Sequence, residues 1–169
     1  IHPPVEAPPL LMPGVVDALC LGVFDEPQAA IDGLKRWRRS HRLDGLVSQR
    51  EEAIVWTALA AQALGLPGIS PEVAYGARDK ARMRELLRAG GCHVPRFQRL
   101  DSPDRLEDAA HLRFPLVVKP TSGLGSAGVT LAPDPQALRR ACAEVAAINE
   151  ETLARYSRWA GGLFAAVVV

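Results

Sequence analysis

Two lysines and a run of glycines carry the strongest chemical signal in this chain. The segment Lys119-Pro120-Thr121-Ser122-Gly123-Leu124-Gly125-Ser126-Ala127-Gly128-Val129 gathers an ammonium, two serine hydroxyls and three glycines. Glycines let the backbone approach a ligand with no Cβ in the way. Successive N–H groups in such a turn form a concavity that holds anions. Ser122 and Ser126 add hydroxyl donors, and Lys119 can aim its charge at the same phosphates. The chain has 17 Arg but only three Lys, at positions 35, 80 and 119. Lysines that persist against such a bias mark places where a compact ammonium differs from a planar guanidinium.

Three familiar motifs fail here. Gly123, Gly125 and Gly128 fit G-x-G-x-x-G, but a dinucleotide fingerprint needs a helix straight after its glycines. Val129-Thr130-Leu131 is β-like, and Pro133-Asp134-Pro135 forbids a continuing helix. A Walker A loop would need Lys where Val129 stands. A nucleophile elbow around Ser126 would need Gly where Leu124 stands. What remains is a strand–glycine loop–strand flap suited to covering phosphates; the plainer reading is a hairpin turn.

The elements that must position this loop follow from periodicity and punctuation. Residues 15–23 form an apolar run of strand length. Residues 27–40 read as a helix with Ala30, Ile31, Leu34 and Trp37 on one face. Residues 44–48 read as a short strand. Ser48 and Glu51 fit a capping box, opening a helix that ends at Leu64-Gly65. A short helix is expected around Glu72–Gly76. Asp79 is placed to cap a helix over Lys80–Ala89, with Met83, Leu86 and Leu87 as its apolar stripe. Beyond Gly90-Gly91 the spacing predicts a strand over 94–100, a short helix over 103–112 and strands over 116–119 and 128–131. A helix over 135–148 and a final strand over 163–169 complete the pattern. The β-α-β-α order at the start predicts a parallel sheet with covering helices.

Composition narrows the function classes. The chain has 169 residues, 48% hydrophobic and 23% charged, which is ordinary globular composition. A net charge of +1 makes no case for a nucleic-acid binder. No apolar run reaches membrane-span length, and no signal peptide opens the chain. Cys20, Cys92 and Cys142 form no Cys-x-x-Cys pair, so a cytoplasmic setting is expected. The basic run Lys35–Arg42 reads as a solvated helix end complementing the macrodipole. Cys92-His93 has no second pair to make a metal site. Glu51 and Glu52 could reach a substrate amine, but capping is the simpler role for Glu51. Trp37 and Trp56 read as packing residues.

Three pieces in order resemble the ATP-grasp superfamily. They are Gly65-Leu66-Pro67-Gly68 through Glu72 to Arg78-Asp79-Lys80; the helix end at Gly90 with Val94-Pro95; and Phe114-Pro115-Leu116-Val117-Val118-Lys119-Pro120 with the loop Gly123–Val129. The resemblance implies an α/β fold, in which the end of a Rossmann-like pre-ATP-grasp domain precedes part of the small α+β ATP-grasp subdomain. It divides the chain into a proline-rich linker (1–14), a pre-ATP-grasp portion (15–91) and a partial small subdomain (92–169). It implies that Lys80, Lys119, Ser122, Gly123, Gly125, Ser126 and Gly128 bind ATP phosphates. It implies no catalytic residue and no metal ligand within the chain.

Lys119-Pro120 and Gly125-Ser126-Ala127-Gly128-Val129 look like the carboxylate–amine ligases that act on amino acids. Those enzymes make an acyl phosphate from a carboxylate and ATP, and an amine then converts it to an amide. The substrates implied are ATP with a small carboxylic acid and an amine or amino acid. The alternatives are a biotin carboxylase or carbamoyl-phosphate type of ATP-grasp enzyme, and a non-catalytic remnant acting as a structural or partner-binding domain. The family's first β-α units are expected before Ile1, and its adenine hinge and Mg2+ ligands beyond Val169. The chain is therefore expected to be truncated at both ends and inactive alone.

Overall fold

The fold is taken from a computed structural model. It describes residues 19–123, 125–156 and 166–168, with 150–156 and 166–168 as backbone only. Five helices and four strands are assigned among these residues: α1 Pro27–Trp37, α2 Ile54–Leu64, α3 Pro71–Arg78, α4 Lys80–Ala89, β1 Gln98–Leu100, β2 Leu116–Pro120, β3 Thr130–Ala132, α5 Pro135–Tyr156 and β4 Ala166–Val168. The class is α/β, as the sequence implies.

α1 opens with Pro27, whose fixed φ suits a first helical turn. Its Ala30, Ile31 and Leu34 are buried against Trp56, Ala60 and Leu64 of α2. α2 is apolar all round, and such a helix must be covered on more than one side. Its other flank carries Val55 and Ala58, which cluster with Ala74 of α3. The Trp56 indole N–H donates to the Pro27 carbonyl (3.2 Å), so this packing residue also pins the start of α1. α2 ends at Gly65 in the left-handed region (φ 63°), and the Leu66 N–H returns to the Ala61 carbonyl (2.8 Å). The basic run 35–42 is largely exposed, with Trp37 and His41 stacked at 4.1 Å.

A second core lies between a sheet and α5. The strand order is β1-β4-β2-β3, and every neighbouring pair is antiparallel. In β2 burial alternates: Leu116, Val118 and Pro120 are buried, while Val117 and Lys119 are half-buried. The buried set packs with Leu100, Ala132 and the α5 residues Ala137, Leu138, Ala141, Cys142 and Val145. Lys119 therefore lies on the sheet face turned away from α5. The Asp134 carboxylate accepts from the Ala137 N–H (2.8 Å) and starts α5, which runs beyond the expected end at 148.

Several expectations need correction. Residues 19–23 and 44–48 form no strand, and residues 15–18 lie outside the described ones. A strand exists only where a neighbour pairs with it, and neither segment has one among the described residues. Leu21, Val23 and Leu46 instead pack without a ladder, lying with the neighbouring Leu43 against the α1–α2 core, while Leu19 and Val47 are exposed. The Ser48–Glu51 capping box does not form. The Ser48 hydroxyl binds the backbone of Arg50, and Glu51 pairs with Arg78. The helix expected over 103–112 is only a 3-10 turn, Leu106–Ala109. The final strand is assigned at 166–168; residues 163–165 and 169 lie outside the described ones.

The stripe of α4 also differs. Met83, Leu86 and Leu87 are 36–42% exposed, whereas Ala81 and Arg84 are buried. The start of α4 is tied to the β-hairpin and to β1, and this fixes the helix with its Ala81–Arg84 side inward.

Candidate functional site

The glycine loop joins β2 to β3 in an antiparallel hairpin, with Leu116 opposite Ala132 and Val118 opposite Thr130. This is the expected strand–loop–strand arrangement. Gly125, Ser126 and Gly128 all have positive φ (57°, 62° and 71°). Three such residues within four positions turn the chain tightly and leave Gly125 and Ser126 exposed at the tip. Gly128 has a second constraint. A Cβ there would lie 3.0 Å from Ile148 Cδ1 and 3.1 Å from the Pro120 ring. Gly123 has neither restriction, with ordinary contact to Pro120 at 3.5 Å. Leu124 lies outside the described residues.

The root of the loop is bolted to α3 and α4. The Lys80 N–H donates to the Thr121 carbonyl at 2.9 Å, and Lys80 Nζ reaches the same oxygen at 3.5 Å. The Ser122 hydroxyl donates to the Arg78 carbonyl at 3.0 Å. Asp79 caps α4 through the N–H groups of Ala81 and Arg82 (2.9 and 3.0 Å). Its other oxygen takes Arg99 of β1 at 3.1 Å. One carboxylate thus starts the helix and fastens it to the sheet. Because Lys80 directly follows this cap, its side chain is carried to the first turn of α4, beside the loop.

Lys80 and Lys119 are separated by 39 positions (119 minus 80) yet share one electrostatic environment. Both amines are pushed below the ordinary lysine range. For Lys80 the first cause is burial, followed by the charge of Arg78; Glu51 opposes it, Lys119 adds to it, and Asp79 opposes it. For Lys119 the causes are burial and then the charge of Arg84. Two cations nearby are matched: Arg78 by Glu51, and Arg99 by Asp79 and Asp101. Lys80, Lys119 and Arg84 have no ion pair among the described residues. The result is a half-buried cluster of positive charge at the base of a glycine turn, an arrangement that attracts a polyanion.

The structure brings Lys80, Lys119 and Ser122 to this root and leaves Gly125 and Ser126 at the tip. Sequence reading missed Arg84, one arginine among many, and Thr121, which is fully buried and supplies the carbonyl that both Lys80 groups approach. No group of three or more metal-ligating side chains occurs among the described residues, so they do not by themselves fit a metal ion. No helix among them is long and apolar enough to cross a membrane.

The ATP-grasp N-terminal domain matches residues 2–68. The crystal structure of an L-amino acid ligase from Bacillus licheniformis superposes with a TM-score of 0.72 at 30% identity, over 88% of this chain and 34% of that one. The chain is thus similar to ATP-grasp enzymes, through its N-terminal part and through the fold as a whole. Among curated proteins, alanine–anticapsin ligase of Bacillus subtilis (strain 168) is 33% identical over 92 residues, which is 54% of this chain and 20% of the ligase. An uncharacterized protein, y4rH, of Sinorhizobium fredii (strain NBRC 101917 / NGR234) is 31% identical over 111 residues, covering 65% of this chain and 23% of that protein. The chain spans between a fifth and about a third of these relatives.

Proposed function

We propose that this chain supplies the phosphate-gripping part of the ATP site in a carboxylate–amine ligase acting on amino acids. The observation that carries the reading is the docking of Lys80 on the Thr121 carbonyl, two residues past Lys119, under a positive-φ glycine turn, with no carboxylate paired to either amine among the described residues. Similarity to an L-amino acid ligase and to alanine–anticapsin ligase supports the choice of substrate class. The proposed domain division stays at residues 91 and 92.

In this reading the ATP phosphates lie over the root of the hairpin. Lys80 and Lys119 neutralise charge as the γ-phosphoryl group moves, and the Gly123–Gly128 backbone covers it and excludes water. A carboxylate oxygen of the acid substrate attacks the γ-phosphorus, and the bond to ADP breaks. The amine then attacks the acyl carbon of the acyl phosphate. Phosphate leaves, the amine loses a proton, and an amide remains. Mg2+, when bound, would supply further charge neutralisation.

The test is turnover by the full-length protein carrying this sequence. We expect ADP release that requires an amino acid, and a hydroxamate when hydroxylamine replaces the amine. ADP release that depends on bicarbonate instead would favour the biotin carboxylase type. No ATP turnover with any acid would overturn the reading.

A further inference from the structure

Arg84 is the buried charged group among the described residues that lacks an explanation. Only 8% of it is exposed, and its Nη1 is buried with no hydrogen-bond partner. A buried cation without an anion is costly, and natural folds keep few of them. Its guanidinium carbon lies 5.5 Å from the Phe97 ring centroid. Arg88 approaches the same ring at 4.9 Å, so two cations share one aromatic face or edge and neither supplies the missing negative charge. Arg84 follows Lys80 by four positions on α4, which puts both on one side of the helix. From there it acts on Lys119, which projects from the sheet face away from α5.

We propose that Arg84 is a phosphate-binding residue, the third cation of the nucleotide site. Its unpartnered Nη1 donates to a phosphate oxygen held near Lys80 and Lys119. This rests on the nucleotide reading above and adds a residue to it. Charge matching selects the ligand class. Lys80, Arg84 and Lys119 are three positive groups without carboxylate partners among the described residues. A single carboxylate would leave two of them unmatched, whereas a nucleotide polyphosphate carries charge enough for all three. Phe97 holds the guanidinium plane in place before the anion arrives, so little side-chain freedom is lost on binding.

The proposal makes opposite demands on stability and binding. In the full-length protein, Arg84→Met keeps the aliphatic stem but removes the uncompensated charge. The empty protein should then melt no lower than wild type. Calorimetric titration should show ADP and tripolyphosphate each bound about tenfold or more weakly, with adenosine unaffected. Arg84→Lys should restore part of the loss. If Arg84→Met does not fold, Arg84→Gln is read in the same way.

Unchanged ADP affinity in the folded variant would make Arg84 a stacking residue only and overturn the proposal. Weakening for tripolyphosphate alone would place Arg84 at a separate inorganic-anion site and overturn its place beside the nucleotide. Lys119→Ala in the same titration separates this failure from that of the nucleotide reading. If Lys119→Ala loses ADP while Arg84→Met does not, only the Arg84 assignment falls. If neither loses it, both fall.

Discussion

Lys80 and Lys119 sit where a charged amine is least comfortable without a ligand. Burial and neighbouring cations push both below the ordinary lysine range. Between that lowered value and the ordinary one, the unfolded chain binds more protons than the folded one. Stability of the empty protein should therefore rise with pH across this window. Phosphate binding needs the charged amines, so nucleotide affinity should fall across the same window. ADP titrations at a series of alkaline pH values test this. We expect affinity to decline before the ordinary lysine range is reached, and the decline should vanish when both lysines are replaced by Arg. The lysines were legible in the sequence because they are rare. Arg84 was not, since nothing in a sequence distinguishes one arginine of 17 as buried and unpartnered.

At the scale of elements, the hairpin was the clearest feature in the sequence. β-like residues on both sides of the glycines left few other arrangements. The glycines themselves divide by role. Gly128→Ala must hold a left-handed φ and press its Cβ on Ile148 and Pro120, and should destabilise the protein by about 1–2 kcal/mol. Gly123→Ala has room and no positive φ. It should leave stability unchanged or raise it by up to about 1 kcal/mol through the unfolded state. Denaturant unfolding of the two variants compares them directly.

Elsewhere the pattern misled. The described apolar residues at 19–23 and 44–48 have strand composition, but a strand also needs a pairing neighbour, which composition does not reveal. The α4 stripe failed for a related reason. Spacing shows that Met83, Leu86 and Leu87 share a helix face, but not which face the rest of the fold approaches. Here Asp79, held by Arg99, and the Lys80 backbone, held by Thr121, decide the helix rotation.

For the whole molecule, two cores meet at the candidate site. The α1–α2–α3 core delivers Lys80 through α3 and the Asp79 cap. The sheet and α5 deliver Lys119 and the loop. Each part alone would hold only one lysine of the proposed phosphate site, which would account for a site built from residues so far apart in sequence. This convergence could be inferred from family resemblance. Residue types alone mark the loop but give no reason to bring Lys80 to it.

The most direct measurement is the ADP affinity of the full-length protein with Lys80→Ala, Lys119→Ala and both together. Removing one charge-assisted phosphate contact should weaken binding by about 1.5–3 kcal/mol, roughly ten- to a hundredfold. The double variant should lose less than the sum, because the two amines share one ligand. Wild-type affinity in both single variants, with the fold intact, would contradict the phosphate site at the root of the glycine loop.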